Sequence, residues 1–242
     1  MRILLLADIH ANWPALQAIQ EPHDVCLVLG DLVDYGLEPA PCIDWVRRNA
    51  FLSVRGNHDH GMAQNVVLGP RPNGFKHLTA MTRSLTRGLL NEGDLRYLAA
   101  MPVSRMATLE NTRILMVHAT PRDPLDEYAP NDPEFWGRRL EHVDADIICV
   151  GHTHHPYVLE IDGKLVINPG SVGQPRDGDP RASYAVLEHE KIELKRVEYP
   201  VDETLRTIHE SSLPDGTKEM LLDVFRSGGS RNGHYPVEKP KP

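Results

Sequence analysis

Residues 1–10 read MRILLLADIH, an apolar run that ends abruptly in two polar side chains, Asp8 and His10. The run from Ile3 to Ala7 has the length and the β-rich composition of a buried strand. The aspartate and the histidine therefore follow the carboxyl end of a strand, which is the edge where open α/β sheets bind ligands. The sequence thus predicts an α/β fold whose first strand delivers functional side chains to that edge.

The same arrangement recurs four more times along the chain. Short apolar runs at 25–29, 51–54, 114–117 and 147–150 each lead into polar residues. The five polar segments are Asp8-Ile9-His10, Gly30-Asp31, Gly56-Asn57-His58-Asp59, Val117-His118 and Gly151-His152-Thr153-His154. Because every segment follows a predicted strand, one shared site explains the set better than five unrelated surface turns do.

The side chains in these segments are typical of a metal site. Carboxylate, imidazole and amide ligands suit a borderline divalent ion such as Mn, Fe, Ni or Zn, and this chemistry does not choose among the four. No cysteine lies in the segments, which argues against a thiolate zinc site. The segments hold more ligands than one ion uses. We therefore expect two ions about 3.5–4 Å apart, an arrangement that clamps both oxygens of a phosphoryl transfer.

In order and content, the five segments resemble the calcineurin-like metallophosphoesterase superfamily over residues 1–200. Residues 168–176, which read NPGSVGQPR, further resemble its small bacterial and archaeal phosphodiesterase branch, which includes YfcE-type proteins and bacterial dinucleoside tetraphosphate hydrolases. The resemblance implies a four-layer α-β-β-α sandwich with a small helical insert. It implies a first ion held by Asp8, His10, Asp31 and His154, and a second held by Asp31, Asn57, His118 and His152.

The resemblance also assigns catalytic roles. His58 matches the family's general acid or transition-state charge stabiliser, and Asp34 matches the partner that orients it. A carboxylate at that place would fix the tautomer of the imidazole. Asp59 is a second candidate for the same partner. A hydroxide that bridges the two ions near neutral pH would attack phosphorus in line with the leaving oxygen.

Four further residues are candidates for contact with the substrate. Serine/threonine protein phosphatases carry an arginine after the residue that matches Asp34, whereas this chain has Tyr35. Arg176 or Arg122 could supply the cation instead, and each has a structural ion pair as its alternative. His155 adjoins a metal motif, and the Tyr35 ring could stack on a base.

Composition restricts the partners. The 242 residues carry a formal net charge of −8, which argues against extended nucleic acid, because that ligand needs clustered Lys and Arg. A small phosphorylated substrate such as a nucleotide is compatible, since bound cations invert the local charge.

The sequence shows no apolar run of membrane-span length and no signal peptide, and its three cysteines are expected to be reduced and buried. We therefore expect a cytoplasmic protein without membrane contact; the oligomeric state stays open.

The chain organisation follows from these patterns. Residues 1–200 are expected to form the phosphoesterase domain, with a first helix that begins at Pro14. Residues 60–102 interrupt the sheet pattern with two helices, at about 77–90 and 92–100. They are either packed core helices or, in the favoured interpretation, a cap whose loop at 69–74 reaches over the metal site. Residues 201–242 are expected to add two short helices, about 202–211 and 217–226, and a flexible tail after Ser227.

Together these features predict metal-dependent hydrolysis of a phosphodiester or of a nucleotide phosphoanhydride. The alternatives are a nuclease, a phosphomonoesterase or protein phosphatase, and a protein-binding scaffold without catalysis. The acidic balance counts against a nuclease, and Tyr35 counts against a protein phosphatase. The presence of His58 and of all seven ligands counts against the scaffold.

Overall fold

The computed structural model describes residues 1–69, 73–189 and 191–229. The strands in these residues are β1 Arg2–Leu6, β2 Val25–Val28, β3 Leu52–Ser53, β4 Ser104–Leu109, β5 Thr112–Val117, β6 Ile147–Cys149, β7 Tyr157–Ile161, β8 Lys164–Asn168, β9 Ala182–Glu188 and β10 Lys191–Val197. The helices are α1 Trp13–Ala18, α2 Pro39–Asn49, α3 Asn57–Ala63, α4 Gly74–Arg87, α5 Glu92–Ala100, α6 Pro133–Leu140, α7 Val201–Glu210 and α8 Asp215–Ser227.

The strands form two mixed sheets of five strands each. The first sheet has the order β10-β9-β1-β2-β3, and the second has the order β4-β5-β6-β8-β7. Strands β1, β2 and β3 are parallel in the first sheet, as are β5, β6 and β8 in the second. Because parallel strands end at one edge of a sheet, the polar segments that follow them are brought together.

An apolar core fills the space between the two sheets. Ile3 and Leu5 of β1 lie in the same buried cluster as Met116 of β5 and Cys149 of β6. The intervening residues of β1 point to the opposite face, where they pack in a second cluster with α1 and α2. Since both faces of β1 are buried, its sequence is continuously apolar rather than alternating.

The second sheet is covered on its outer face by α6. Trp136 of this helix is fully buried and packs with Ile148 and Val166 of the sheet. The order of layers is therefore helices, sheet, sheet, helix. This confirms the predicted α-β-β-α sandwich.

Two of the antiparallel connections are two-residue hairpins. Glu110 and Asn111 join β4 to β5 with φ angles of 48° and 69°, and Asp162 and Gly163 join β7 to β8 with φ angles of 49° and 75°. Positive φ at both central residues is the geometry that matches the twist of the paired strands.

Helix boundaries differ from the prediction by a few residues. The first helix begins at Trp13 rather than at Pro14, because Asn12 caps it and its side chain accepts a hydrogen bond from Ala15 N at 3.3 Å. The first insert helix, α4, begins at Gly74 and ends at Arg87, earlier than the predicted 77–90. Residues 70–72 of the predicted insert loop, and the predicted tail from 230 onward, lie outside the described residues.

The C-terminal helices α7 and α8 pack against the insert. Leu78 of α4 lies in one buried cluster with Ile208 of α7 and with Leu221 and Phe225 of α8. Tyr35, which follows a metal segment, belongs to the same cluster. The insert is therefore attached both to the C-terminal extension and to the loops around the predicted site.

Two observations bear on the cysteine and membrane expectations. Cys26, Cys42 and Cys149 are buried and free, and burial raises the pKa of the Cys26 and Cys149 thiols to about 12. Thiols in such surroundings are inert. No helix within the described ranges has both the length and the apolar composition needed to cross a membrane.

Candidate metal centre

The backbone at the predicted site is unusual. Five of the seven predicted ligands lie in the left-handed region, with φ of 54° at Asp8, 47° at His10, 57° at Asp31, 66° at His152 and 60° at His154. Such a conformation costs a non-glycine residue about 1–3 kcal/mol, and it concentrates at functional sites because surrounding contacts must impose it. The strained residues coincide with the polar segments singled out by the sequence.

Each of the two central carboxylates is anchored through one oxygen. Asp8 Oδ2 accepts a hydrogen bond from His152 N at 3.0 Å, and Asp31 Oδ1 accepts one from His58 N at 2.9 Å. Asp8 Oδ1, Asp31 Oδ2 and Asn57 Oδ1 are buried and have no hydrogen-bond partner among the described residues. A buried polar atom without a partner is costly, so these three oxygens are suited to a cation.

His10 and His154 present nitrogen lone pairs to each other. His10 Nδ1 lies 2.8 Å from Val33 O, and His154 Nδ1 lies 2.5 Å from Gln174 O. A carbonyl only accepts, so both Nδ1 atoms carry the proton, and both Nε2 atoms carry lone pairs. These two Nε2 atoms are 3.1 Å apart. Two lone pairs this close repel each other, and a shared cation removes the repulsion.

The donor atoms of the candidate ligands gather in three overlapping sets. His118 Nδ1 donates to Leu29 O at 2.7 Å, which leaves Nε2 facing Asp31 Oδ2 at 3.1 Å without hydrogen-bond alignment. Donor atoms lie within 4.8 Å of one another in the set Asp8, His10 and His154, and in the set Asp31, His118 and His152. A third, overlapping set contains His10, Asp31 and His58. These residues fit divalent metal ions in donor type, burial and orientation.

Burial sets the protonation of these groups. It raises the pKa of the Asp8 carboxyl to about 7, against the opposing charge of His118. It lowers the pKa of His152 to about 3 and holds those of His10 and His154 well below the usual value. Burial acts the same way on His118, but the neighbouring carboxylates outweigh it and raise that pKa to about 10. Neutral imidazole is the metal-binding form, so a cation that binds here displaces protons.

Asn57 begins helix α3, which is not among the helices predicted from the sequence. The missed signal is Asp59 at the third helical position, whose carboxylate accepts from the backbone N–H of Gly56 at 3.1 Å and so satisfies the helix start. The same carboxylate accepts from Asp31 N at 2.8 Å. Asp59 therefore ties two ligand loops together through the backbone, and it is not the partner of His58.

The partner of His58 is Asp34. His58 Nδ1 lies 2.7 Å from Asp34 Oδ2, and His58 Nε2 faces the donor groups at 3.9 Å from Asp31 Oδ2. Asp34 is also bound by Arg83, whose Nε donates a hydrogen bond to Asp34 Oδ2 at 3.0 Å. Arg83 is 8% exposed and lies on α4 in the insert. Sequence reasoning missed this arginine, because nothing local connects it to an aspartate 49 residues earlier.

Arg176 lies at the rim of the site. Its Nη2 donates to Gln174 Oε1 at 2.8 Å and to Tyr35 Oη at 3.3 Å, and its guanidinium stands 3.8 Å from the centre of the Phe75 ring. Burial lowers the pKa of His154, and the charge of Arg176 lowers it further. Arg176 is thus the predicted substrate residue that lies within electrostatic range of the ligands.

The other three candidates occupy different surroundings. Tyr35 is 2% exposed, and its ring packs against His10 at 4.7 Å between ring centres. It has no free face for a base, so the expected stacking role disagrees with its burial. Arg122 is exposed on the loop after β5. His155 donates from Nδ1 to Thr153 O at 2.7 Å and lines a cavity of about 300 Å³ beside the metal segment.

Residues 168–176 support two of the ligand loops. Asn168 Nδ2 donates to Gly151 O at 2.7 Å, next to the two histidines that follow β6. Ser171 Oγ donates to Asp8 O at 2.7 Å, and Gly173 N donates to the same oxygen at 3.0 Å. The stretch that carried the resemblance to the phosphodiesterase branch therefore holds the ligands in place.

Gly30 allows two ligand loops to meet, and its replacement tests that packing. Gly30 has a φ of 93°, and a Cβ there would lie 2.5 Å from Gly56 N. We expect Gly30→Ala to destabilise the protein by about 3 kcal/mol or more, from backbone strain and overpacking together. Gly137→Ala is the matched control, since a Cβ in that helix meets nothing within 4 Å. Denaturant unfolding of both variants measures the difference, and equal midpoints would contradict the packing argument.

Comparison with known proteins places these observations in a family. A sequence model described as the calcineurin-like phosphoesterase superfamily domain matches residues 1–191. An uncharacterized protein of Methanocaldococcus jannaschii is 32% identical over 251 aligned positions, which cover 91% of this chain and 97% of that protein. The phosphodiesterase YfcE of Escherichia coli is 26% identical over 200 positions, covering 80% and 91% of the two chains.

A solved structure agrees in fold and in sequence. The metallophosphoesterase from Sphaerobacter thermophilus superposes with a TM-score of 0.78 at 32% identity, covering 94% of this chain and 99% of that one. The family model spans most of the chain and includes all five polar segments. The chain therefore belongs to the calcineurin-like phosphoesterase superfamily, a family of metal-dependent phosphoester hydrolases.

Proposed function

We propose that the protein hydrolyses a phosphodiester or a phosphoanhydride in a small phosphorylated compound such as a nucleotide, with two divalent ions as cofactors. The observation that carries this proposal is the position of His58. Its Nδ1 is held by Asp34 at 2.7 Å, and its Nε2 faces the donor groups at 3.9 Å from Asp31 Oδ2. A proton donor beside a metal centre is the arrangement that expels a leaving oxygen.

The proposed assignment of ligands to two ions is supported by two of the three donor sets. One ion would be held by Asp8, His10, Asp31 and His154, and the other by Asp31, Asn57, His118 and His152. When bound, such ions supply a water-derived nucleophile near neutral pH and neutralise charge on the phosphoryl oxygens. Asp31 would contribute a negative charge to both ions. Asn57 would contribute a neutral oxygen, which would leave its ion more electrophilic than a carboxylate would.

The remaining chemistry belongs to side chains of this chain. His58 donates a hydrogen bond from its Nδ1–H to Asp34 and transfers the proton of its Nε2 to the leaving oxygen. Arg176 supplies a cation at the rim, where it can bind a non-bridging phosphoryl oxygen. The Phe75 ring and Gln174 hold the guanidinium in one orientation. That support makes the cation better ordered than an exposed arginine such as Arg122.

The residue at position 35, the net charge and a similar phosphodiesterase bear on the substrate class. Tyr35 stands where protein phosphatases have an arginine, and it is buried. The net charge of −8 disfavours a long polyanion. The identity to the phosphodiesterase YfcE over most of both chains supports a diester. These features favour a small substrate over a phosphoprotein or DNA.

A substrate panel with defined metals tests the proposal. Metal-stripped protein is reloaded with Mn, Fe, Ni or Zn and given bis-p-nitrophenyl phosphate, p-nitrophenyl phosphate, cyclic nucleotides, dinucleoside polyphosphates and single-stranded DNA. We expect the highest kcat/KM on a diester or a dinucleoside polyphosphate. Preference for the monoester would point to a phosphatase, and cleavage of DNA would point to a nuclease. Protein that binds metal but turns over none of the substrates would contradict the enzyme and support the scaffold.

A further inference from the structure

Arg83 binds Asp34 at Oδ2, the same carboxylate oxygen that binds His58. Its Nε donates to Asp34 Oδ2 at 3.0 Å and lies 3.3 Å from Oδ1, and its Nη2 donates to Oδ2 at 2.5 Å. The Asp34 side chain is fully buried and the Arg83 side chain is 10% exposed. A fork of N–H donors on a carboxylate is a strong and directional contact. Asp34 Oδ2 is therefore shared by a guanidinium and an imidazole, which links Arg83 to His58 through a single oxygen.

The helix that begins with the catalytic segment leaves room for this guanidinium. Gly61 lies on α3, one turn after His58, and a Cβ at Gly61 would stand 2.7 Å from Arg83 Cζ. Any other residue there would push the guanidinium away from Asp34. The contact between Arg83 of α4 and Asp34 therefore depends on the absence of a side chain at Gly61 of α3.

Helix α4 also holds the turn that carries Asp34. Asp34 and Tyr35 have φ angles of 67° and 63°, a conformation that surrounding contacts must impose. Tyr35 N donates to Thr82 Oγ1 at 3.0 Å, and Thr79 Oγ1 donates to Tyr35 Oη at 3.0 Å. Three residues of one helix, Thr79, Thr82 and Arg83, therefore orient the turn.

We propose that Arg83 is a positioning residue for the hydrolytic step. Through Asp34 it holds the His58 ring in one orientation, so that Nε2 stays directed at the leaving oxygen. This inference rests on the proposed function of the site. It also gives the insert a part in catalysis that is separate from any covering of the substrate, because α4 belongs to residues 60–102.

The leaving group is the variable that isolates this role. A departing phenolate that is a weak base needs little help from a proton donor, whereas a strongly basic one depends on it. A series of aryl methyl phosphodiesters, from p-nitrophenol to phenol as leaving group, is therefore assayed with Arg83→Met, Arg83→Lys and Gly61→Ala. Arg87→Met is the matched control, since Arg87 lies one turn further along α4 and donates to Met62 O of α3 instead of to Asp34.

We expect Arg83→Met to lower kcat on the phenyl ester about 10- to 100-fold, the usual cost of removing the group that orients a functional histidine. The p-nitrophenyl ester should lose less than about threefold, and KM and metal content should stay near wild type. Arg83→Lys should restore part of the loss, because it keeps the charge without the fork. Gly61→Ala should show the same dependence on leaving group, and Arg87→Met should show none.

Two results would overturn the positioning role. One is an equal loss on every leaving group, which indicates general structural damage, and the other is no loss on any. If the wild-type protein shows no turnover, the proposed function itself is refuted. A second measurement, which does not depend on activity, then tests the positioning role. In proton NMR, the His58 Nδ1–H resonance, identified by its absence from His58→Ala, should broaden or shift in Arg83→Met and persist in Arg87→Met. An unchanged resonance would refute the positioning of His58 whatever the turnover.

Discussion

The Asp31→Asn protein is expected to lose bound metal and about 10³-fold or more in turnover, since the metal ions of such sites supply several kcal/mol of charge stabilisation. Asparagine keeps an oxygen that can accept the His58 N–H, which Asp31 Oδ1 now accepts at 2.9 Å. It places an amide NH₂ where Asp31 Oδ2 lies, 3.1 Å from His118 Nε2. The substitution therefore removes a negative charge shared by both donor groups while it preserves the local backbone contact.

Metal analysis of reloaded and dialysed protein, together with steady-state kinetics on bis-p-nitrophenyl phosphate, measures both losses. Asp44→Asn is the control, because it makes the same chemical change at an exposed position on α2. Near-wild-type metal content and turnover in Asp31→Asn would contradict a shared ligand. Anomalous diffraction that shows a single ion remote from Asn57 and His118 would contradict the two-ion arrangement.

The His58→Ala protein is expected to keep its metal and to lose about 10²–10⁴-fold in turnover on substrates with a basic leaving group, the usual worth of general acid catalysis. The ring is held by Asp34 at 2.7 Å, and its Nε2 remains 3.9 Å from the closest carboxylate of the centre. The side chain thus stands beside the ligands and serves the leaving oxygen. Truncation to alanine removes the proton donor and leaves the backbone N–H that binds Asp31.

The comparison of leaving groups again separates the roles. With p-nitrophenolate as the leaving group, the loss in His58→Ala should be smaller, because that anion needs little protonation. Metal content of the same preparations shows whether His58 is itself a ligand. Wild-type turnover on a dinucleoside polyphosphate would show that the assigned role is wrong, and loss of metal would place His58 among the ligands.

Much of the fold was predictable because the relevant signals are local. A strand buried on both faces needs a continuous apolar run, and β1, β2 and β6 have such runs in the sequence. A two-residue hairpin needs residues that tolerate positive φ, and the turn at Asp162 and Gly163 has them. The predicted helices of the insert and of the C-terminal extension lie within a few residues of α4, α5, α7 and α8.

The ligand segments were predictable for a related reason. Metal-binding side chains that follow strand ends must gather at one edge of the sheets, whatever the details of the loops. The assignment of individual ligands and of substrate residues stays a prediction, to be tested by the substitutions above. The burial of Tyr35 shows the limit of such reasoning, since an aromatic residue beside a site is free to bind substrate only if the fold exposes it.

The sequence by itself determined the α/β class, the five apolar strands that lead into the polar segments and the candidate metal-binding side chains, because each depends on residue type and short-range spacing. Tertiary structure alone decided which carboxylate serves which neighbour. It bound Asp59 to backbone N–H groups, which left Asp34 of the two candidates as the partner of His58, and it paired Arg83 with Asp34 across 49 residues. Such pairings depend on how helices and loops pack in three dimensions, and a buried charge accepts whichever partner that packing brings within reach.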